Sequence, residues 1–489
     1  MIVAAALAAL SGAVALSYEI LWYRAFSFAS GGSARTFPFL LGAYLAGLAF
    51  GAAGARRFCR EGSPPPLGPV GAFVVLANSG GFLVIPALAA LAARGASWTA
   101  ALPLVAAAAG GLGAVFPLVN HAAVPPDARA GARVARIYLA NIAGSAAGSF
   151  VTGFILLDLW TIRTISTVLA LTGMAIGAAA FGFRPLRWAA TAAAGAALAA
   201  AAPALFDGLY EKLQLKGGYR PGMRFAHVVE TRSGVITVTS DGRIFGGGIY
   251  DGAFNTSLER DVNLIVRAYA LAGIHPAPRE VLVIGLSSGS WTRVLSRLPG
   301  VERVTVVEIN PGYLRLVPLF PEVAGILGDP KVTIEIGDGR RWLARRPERR
   351  FDLIVANTTF HWRSNATNLL SREFLELVRS RLKPGGIFFY NTTESDRVQR
   401  TGAEAFPHAL RIYSCLAVGE TPLRFDRARW LEAMRRYPHE GPPPSEERLR
   451  EAADRLEANL ETRERLLART RGARPVTDDN MGTEWTWRP

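Results

Sequence analysis

The chain changes character near residue 206, and no single water-soluble core accommodates both halves. Before that point it is rich in Ala, Gly and Leu and almost free of charge, with apolar blocks at about 2–23, 36–55, 68–93, 97–121, 134–158, 162–183 and 187–206. Each approaches or exceeds the roughly 20 residues a helix needs to cross a bilayer core. Turn and charge clusters separate the blocks: Arg56-Arg57-Phe58-Cys59-Arg60, Ser63-Pro64-Pro65-Pro66 and Pro125-Pro126-Asp127. The first block lacks a basic start, carries Glu19 and is followed by more spans, so it reads as a retained span rather than a signal peptide. Gly47/Gly51 and Gly144/Gly148 are small-residue pairs at the spacing that lets helices approach closely.

Seven crossings with a cytoplasmic C-terminal half would put the loops bearing Arg56/Arg57/Arg60 and Arg129/Arg133/Arg136 outside, against the positive-inside tendency. Six crossings, with the Ala-rich last block lying at the interface, put them inside. Glu19 has two readings. A carboxylate in a span is costly and marks function, whereas a belt of Trp22, Tyr23 and Arg24 with a Glu19–Arg24 pair is structural.

Half of the 489 residues are hydrophobic and the net charge is +15, enough for a membrane domain and a soluble domain with its own core. The arginines suit an anionic lipid surface or an ordinary basic surface, and without a basic-aromatic motif nucleic acid is not an expected partner. Cys59 and Cys415 lie far apart and the six His residues lack ligand spacing, so neither a disulfide framework nor a metal is expected.

The second half reads as α/β. Val235–Thr239, Asp241-Gly242 and Arg243–Phe245 form a hairpin signal, followed by Gly246-Gly247-Gly248 and a helix expected over Leu258–Ala272. Apolar runs at Val281–Gly285, Val304–Val307, Val332–Ile336, Leu353–Ala356 and Ile387–Tyr390 alternate with helical stretches. That pattern predicts a doubly wound parallel sheet binding its ligand at the strand carboxyl ends.

The turn Gly285-Leu286-Ser287-Ser288-Gly289 lets backbone approach a nucleoside. Glu308, about 20 residues on and ending the next strand, is placed to accept hydrogen bonds from both ribose hydroxyls. Asp338, before Gly339, meets an adenine amino group or caps the following helix. Without Gly-x-Gly-x-x-Gly or a Walker lysine, the expected ligand is S-adenosylmethionine or a relative. Beyond the fourth strand lies Asn357-Thr358-Thr359-Phe360-His361-Trp362-Arg363. There His361 can serve as base, Trp362 can stack and Arg363 can bind an anion, or the loop merely docks on another part of the protein. A helix is expected from Ser445 to about Thr470 with Leu449, Leu456, Leu460 and Leu467 on one stripe. The segment from Thr477 to Trp485 is read either as a disordered tail or as a lid supplying Asp478 or Asp479.

In order, Val307-Glu308-Ile309-Asn310-Pro311, Gly337-Asp338-Gly339-Arg340, Phe351-Asp352-Leu353-Ile354-Val355, Arg372-Glu373-Phe374 and Leu382-Lys383-Pro384-Gly385-Gly386 resemble the spermidine synthase-like aminopropyltransferases, in their membrane-fused bacterial form. The resemblance covers about residues 225–395. It implies a polytopic helical membrane domain (1–206), a β-hairpin acceptor-side unit (207–275), a Rossmann-like methyltransferase-type domain (276–420) and a helical extension (421–489). It also implies a donor of S-adenosylmethionine or its decarboxylated form, without a metal, and a small amine or lipid-associated acceptor. Partners are the bilayer and, optionally, a second copy, at the plasma membrane of a bacterium with the catalytic domain cytoplasmic. Adenosyl contacts fall on Gly285, Ser287, Ser288, Gly289, Glu308, Asp338 and Gly339, acceptor contacts on Tyr250, Asp251, Asp261, Asn263, Trp362 and Arg363, and catalysis on Asn357, His361 and Asp479.

Two departures stand out. The family's first turn has an Asp, gripping the donor amine, where this chain has Ser288. Its strand-four catalytic Asp aligns with Asn357-Thr358-Thr359, and an amide has no useful basicity near neutral pH. Aminopropyl transfer therefore stands beside methyl or aminocarboxypropyl transfer, and beside a membrane transporter or scaffold with a nucleoside-sensing domain.

Overall fold

A computed structural model describes residues 1–59, 68–182, 184–357, 360–440 and 442–485. Arg60, Ser63–Pro66, Thr358 and Thr359, named above, lie outside the described residues. The chain divides into two compact units, Met1–Val235 and Ile236–Pro489.

Among its described residues the first unit holds seven long apolar helices: α1 (Ile2–Ala29), α2 (Thr36–Ala55), α3 (Gly68–Ala93), α4 (Leu102–Ala123), α5 (Ala130–Val151), α6 (Ile162–Ala180) and α7 (Pro185–Leu205). Their packing depends on missing side chains. A Cβ on Gly51 would sit 1.8 Å from the carbonyl oxygen of Gly110 in α4, and one on Gly47 would sit 2.3 Å from that of Ala106. Gly144 and Gly148 of α5 likewise face Ala9 and Ala13 of α1, at 1.9 and 2.3 Å. Both pairs therefore lie where backbones touch, the geometry by which membrane helices gain dispersion without a hydrophobic driving force.

The expected belt around Glu19 takes a different form. Trp22 is fully buried and donates its Nε1–H to Gly81 O at 3.1 Å, so it is core. Arg24 donates to Thr231 O and, at 3.2 Å, to Gly234 O, and among the described residues Glu19 forms no ion pair. The guanidinium is engaged instead by these two carbonyls and by the charge of Glu230.

In the second unit β2 (Gly234–Val238), inside which the division falls, pairs antiparallel with β3 (Arg243–Gly246), and β3 with β4 (Ile249–Ala253). Gly242 adopts φ +78° in the tight turn. The main sheet contains β5 (Glu280–Ile284), β6 (Arg303–Glu308), β7 (Val332–Ile336), β8 (Phe351–Ala356), β9 (Leu382–Asn391), β10 (His408–Ile412), β11 (Cys415–Gly419) and β12 (Leu460–Thr462). Its order is β12-β10-β11-β9-β8-β5-β6-β7, with β9 to β7 parallel and the β10–β12 end antiparallel. Val281, Leu282, Val283 and Ile284 are all buried, as two-sided coverage of a parallel strand requires. Because β5 lies between β6 and β8, the chain leaves it in opposite directions, opening a crevice at its carboxyl end.

Two expected helices are interrupted. Across 258–272, Asp261, Asn263 and Leu264 adopt left-handed φ of 43°, 62° and 51°, leaving short helices at Val266–Tyr269 and Leu271–Ile274. The single helix expected from Ser445 to Thr470 is split into Glu446–Ala458 and Arg463–Arg469 by β12. There the Glu461 carboxylate pairs with Arg411 of β10 at 2.8 Å, so ladder bonds displace the helical ones.

Gly51→Ala should lower the melting temperature of the detergent-solubilised protein, since overpacking costs about 1–3 kcal/mol. Gly42→Ala, with nothing within 4 Å of its Cβ, should leave it unchanged or slightly raised. Equal melting temperatures for the two variants would contradict the packing described.

Candidate active site

The turn after β5 is built by three positive-φ residues, Gly285 (+90°), Ser287 (+51°) and Gly289 (+77°). A Cβ at Gly289 would meet Ile326 Cδ1 at 2.8 Å, and one at Gly339 would meet Ile284 Cγ2 at 2.5 Å, so both glycines answer to close packing. The turn serines tie it to β4: Ser287 Oγ donates to Asp251 O at 2.6 Å and Ser290 Oγ to Ala253 O at 2.8 Å. Ser288 Oγ donates to Ser290 Oγ at 3.0 Å.

Glu308, at the end of β6, is 3% exposed. One carboxylate oxygen accepts from Leu286 N at 2.6 Å and the other from Asn310 N at 2.7 Å. The Ser287 N–H also bonds this carboxylate, so backbone donors occupy three of its roughly four lone-pair sites. Burial pushes its carboxyl up to about 7, against those backbone N–H groups that pull it down, and the nearby Asp251 charge raises it further.

Asp251, on β4, is also buried, and its Oδ2 accepts from the Tyr313 hydroxyl. Its Oδ1 is buried without a hydrogen-bond partner among the described residues. Burial pushes this carboxyl up to about 6, while the Tyr313 hydroxyl and the Arg363 charge draw it down. Asp251, Gly252, Asn263 and Asn357 line two adjoining cavities. One is closed in by the β5 turn, Asn255 and Trp291, whose Nε1–H is buried and unpartnered among the described residues. The other, about 270 Å³, is lined also by Tyr250, Arg267, Phe360, Asn391, Thr393, Glu394 and Ser414.

The remaining predicted residues are dispersed. Asp338 caps the helix Gly339–Ala344, its Oδ1 accepting from Arg341 N at 2.7 Å. Asp261 accepts from Val266 N at 3.0 Å and pairs with Arg455 at 3.3 Å, which gives it a structural task. His361 is neutral near pH 7, because burial lowers its imidazole to about 4. Its Nδ1 meets Thr483 Oγ1, and Thr483 Oγ1 also lies 2.9 Å from the His361 carbonyl. Trp362 packs edge-on to His361, and Arg363 approaches Gly247, where a Cβ would be 3.0 Å from its Nη2.

The segment 477–485 folds back onto this loop, but Asp479 is exposed and Asp478 pairs with Arg340 at 2.6 Å. The carboxylate delivered to the loop is Glu484. It is 2% exposed and accepts from Asn365 N at 3.0 Å and Thr367 N at 2.8 Å. Tyr313, Arg267 and Glu484 escaped the sequence reading. Only Tyr313, just after the strand-end acid, carried a local signal.

Residues 270–411 match the family model for the spermine/spermidine synthase domain. The chain is 30% identical over 189 residues to a polyamine aminopropyltransferase of Desulforudis audaxviator, covering 37% of this chain and 66% of that one. It is 32% identical over 141 residues to a polyamine aminopropyltransferase of Bacillus subtilis, covering 27% and 50%. The chain thus spans less than two thirds of the length of these curated relatives. A solved structure of spermidine synthase from Thermotoga maritima aligns with 47% of this chain and 84% of its own, at 19% identity and a TM-score of 0.37.

Glu308→Gln should weaken binding of an adenosine thioether such as methylthioadenosine by roughly 10–100-fold at pH 8, the value of a charge-assisted hydrogen bond. The wild type should approach the variant at pH 5.5. A carboxyl raised to about 7 is protonated there, so its contribution is lost as pH falls. Calorimetry giving equal affinities at pH 8 would overturn the assignment. For the tail, Glu484→Ala leaves the buried Thr367 N–H without its acceptor, at about 1–3 kcal/mol, and frees the part-buried Asn365 N–H as well. Hydrogen exchange at Asn365 and Thr367 should then accelerate roughly tenfold or more, while Asp479→Asn changes nothing.

Proposed function

We propose, from the premise that residues 270–411 are a spermine/spermidine synthase domain, that this protein is a membrane-anchored transferase. It moves an aminopropyl-type chain from an adenosyl sulfonium to a small nucleophilic acceptor. The observation that carries this is the pair of buried carboxylates, Glu308 facing the β5 turn and Asp251 lining both cavities. The donor fits on two counts. Glu308 keeps a lone pair for a ribose hydroxyl, and Asp251 Oδ1 is a buried acceptor without a partner among the described residues.

The reaction follows from the charges. The acceptor lone pair forms a bond to the propyl carbon next to sulfur. The carbon–sulfur bond breaks with its electron pair returning to sulfur, which leaves a neutral thioether. The cationic leaving group is already activated, so the protein positions the reactants and removes the acceptor proton. Asn357 cannot take that proton. Asp251 can, since burial poises it near 6 with one oxygen held by Tyr313. His361, neutral and engaged with Thr483, is left to order the loop. The seven apolar helices support placement in the plasma membrane, and supply of a nucleoside donor supports a cytoplasmic catalytic unit.

Mass spectrometry of the full-length protein with a membrane extract and either S-adenosylmethionine or its decarboxylated form tests this reading. Methylthioadenosine is the expected co-product, and Asp251→Asn should slow its formation by roughly 10²–10⁴-fold, the usual worth of a positioned base. S-adenosylhomocysteine would make the protein a methyltransferase, and binding without either product would make the domain a sensor.

A further inference from the structure

The second cavity holds a cation that the proposed reaction does not need. Arg267 is 6% exposed and lines the cavity of Tyr250, Asn263, Asn357 and Ser414. Its Nη2 donates to Asn263 O at 2.8 Å, Nη1 to Ser414 Oγ at 2.9 Å, and Nε to Leu264 O at 3.1 Å. These acceptors are all neutral. Among the described residues no carboxylate lies within 4 Å of it. A guanidinium taken out of water without a counter-ion is destabilising, and neutral hydrogen bonds offset only part of that cost. The Asp261 carboxyl, on which the Arg267 charge acts, and the Trp291 ring, 5.8 Å from the guanidinium, give part of it back, but Asp261 already pairs with Arg455. The guanidinium supplies only one of the two signs of charge on this lining. The other wall carries Asp251, whose Oδ1 is unpartnered, and exposed Glu394 lies on the same lining. One cation and one unpartnered carboxylate facing a single space fit an ammonium and a carboxylate carried by one molecule.

We infer that this cavity takes an amino-acid group, its carboxylate on Arg267 and its amine toward Asp251. The inference rests on the adenosyl-sulfonium reading above and narrows its substrate class. The group belongs either to the donor, as in intact S-adenosylmethionine, or to the acceptor. The shared chemistry is a carboxylate that the decarboxylated counterpart lacks. A planar, permanently charged guanidinium held by four neutral acceptors, Cys415 Sγ at 3.9 Å among them, presents a fixed site for such a group.

Two matched pairs test it on the full-length protein in detergent by calorimetry: S-adenosylmethionine against its decarboxylated form, and ornithine against putrescine with methylthioadenosine present. One pair should show at least a tenfold preference for the carboxylate-bearing member, and that pair names the source of the group. Arg267→Gln should abolish the preference and Arg267→Lys should retain part of it. Methylthioadenosine alone, which has neither group, should bind wild type and both variants equally, confirming that the variants fold. Failure of methylthioadenosine to bind the wild type would sink the nucleoside reading and this inference with it. If it binds, and neither pair shows a preference or the preference survives Arg267→Gln, only the inference is overturned.

Discussion

The carboxylate of Glu308 holds the turn after β5 to the turn after β6, one oxygen on Leu286 N and the other on Asn310 N. The crevice exists because β5 lies where the strand order reverses, but its walls keep their shape through this one acid. Burial makes the carboxylate a poor anion, pushed up to about 7. A ligand that offers hydroxyls or a positive charge relieves the strain on the charged form. Structure and binding therefore draw on the same group, and a change at Glu308 that removes both oxygens would loosen the turn as well as the ligand.

A second carboxylate extends the same logic. Asp251 is fixed by Tyr313 on one oxygen and, among the described residues, left unpartnered on the other, on the same cavity as the non-basic Asn357. In the proposed reaction the proton acceptor is Asp251 of the hairpin unit, since Asn357 offers no base. Arg267 then marks where this chain departs in charge. Under the inference drawn for Arg267, the cavity it lines takes a ligand that carries a carboxylate.

The parallel strands were legible because two-sided burial turns them into continuous apolar runs, and the order of their end residues pointed to Gly285, Glu308 and Asp338. Gly47, Gly51, Gly144 and Gly148 were legible too, since only glycine permits the carbonyl contacts they make. What escaped depends on distance along the chain. Asp261, Asn263 and Leu264 turn left-handed in a stretch that reads as helix, and β12 splits another helix by pairing with β10. Glu484 reaches Asn365 and Thr367 from more than a hundred residues away, and no local pattern distinguishes it from Asp479. His361 was legible as a titratable group, but the burial that lowers its imidazole to about 4, and so weakens it as a base, is set by the fold.

The central claim, that two partly protonated buried acids receive an adenosyl nucleoside, is tested most directly by counting protons. Methylthioadenosine is titrated into the full-length protein at pH 6.5–7 in two buffers of different ionisation enthalpy. Hydroxyl donors to Glu308 favour its charged form, so binding should release a fraction of a proton and the apparent heat should differ between buffers. Tight binding with the same heat in both buffers, or no binding at all, would contradict the account.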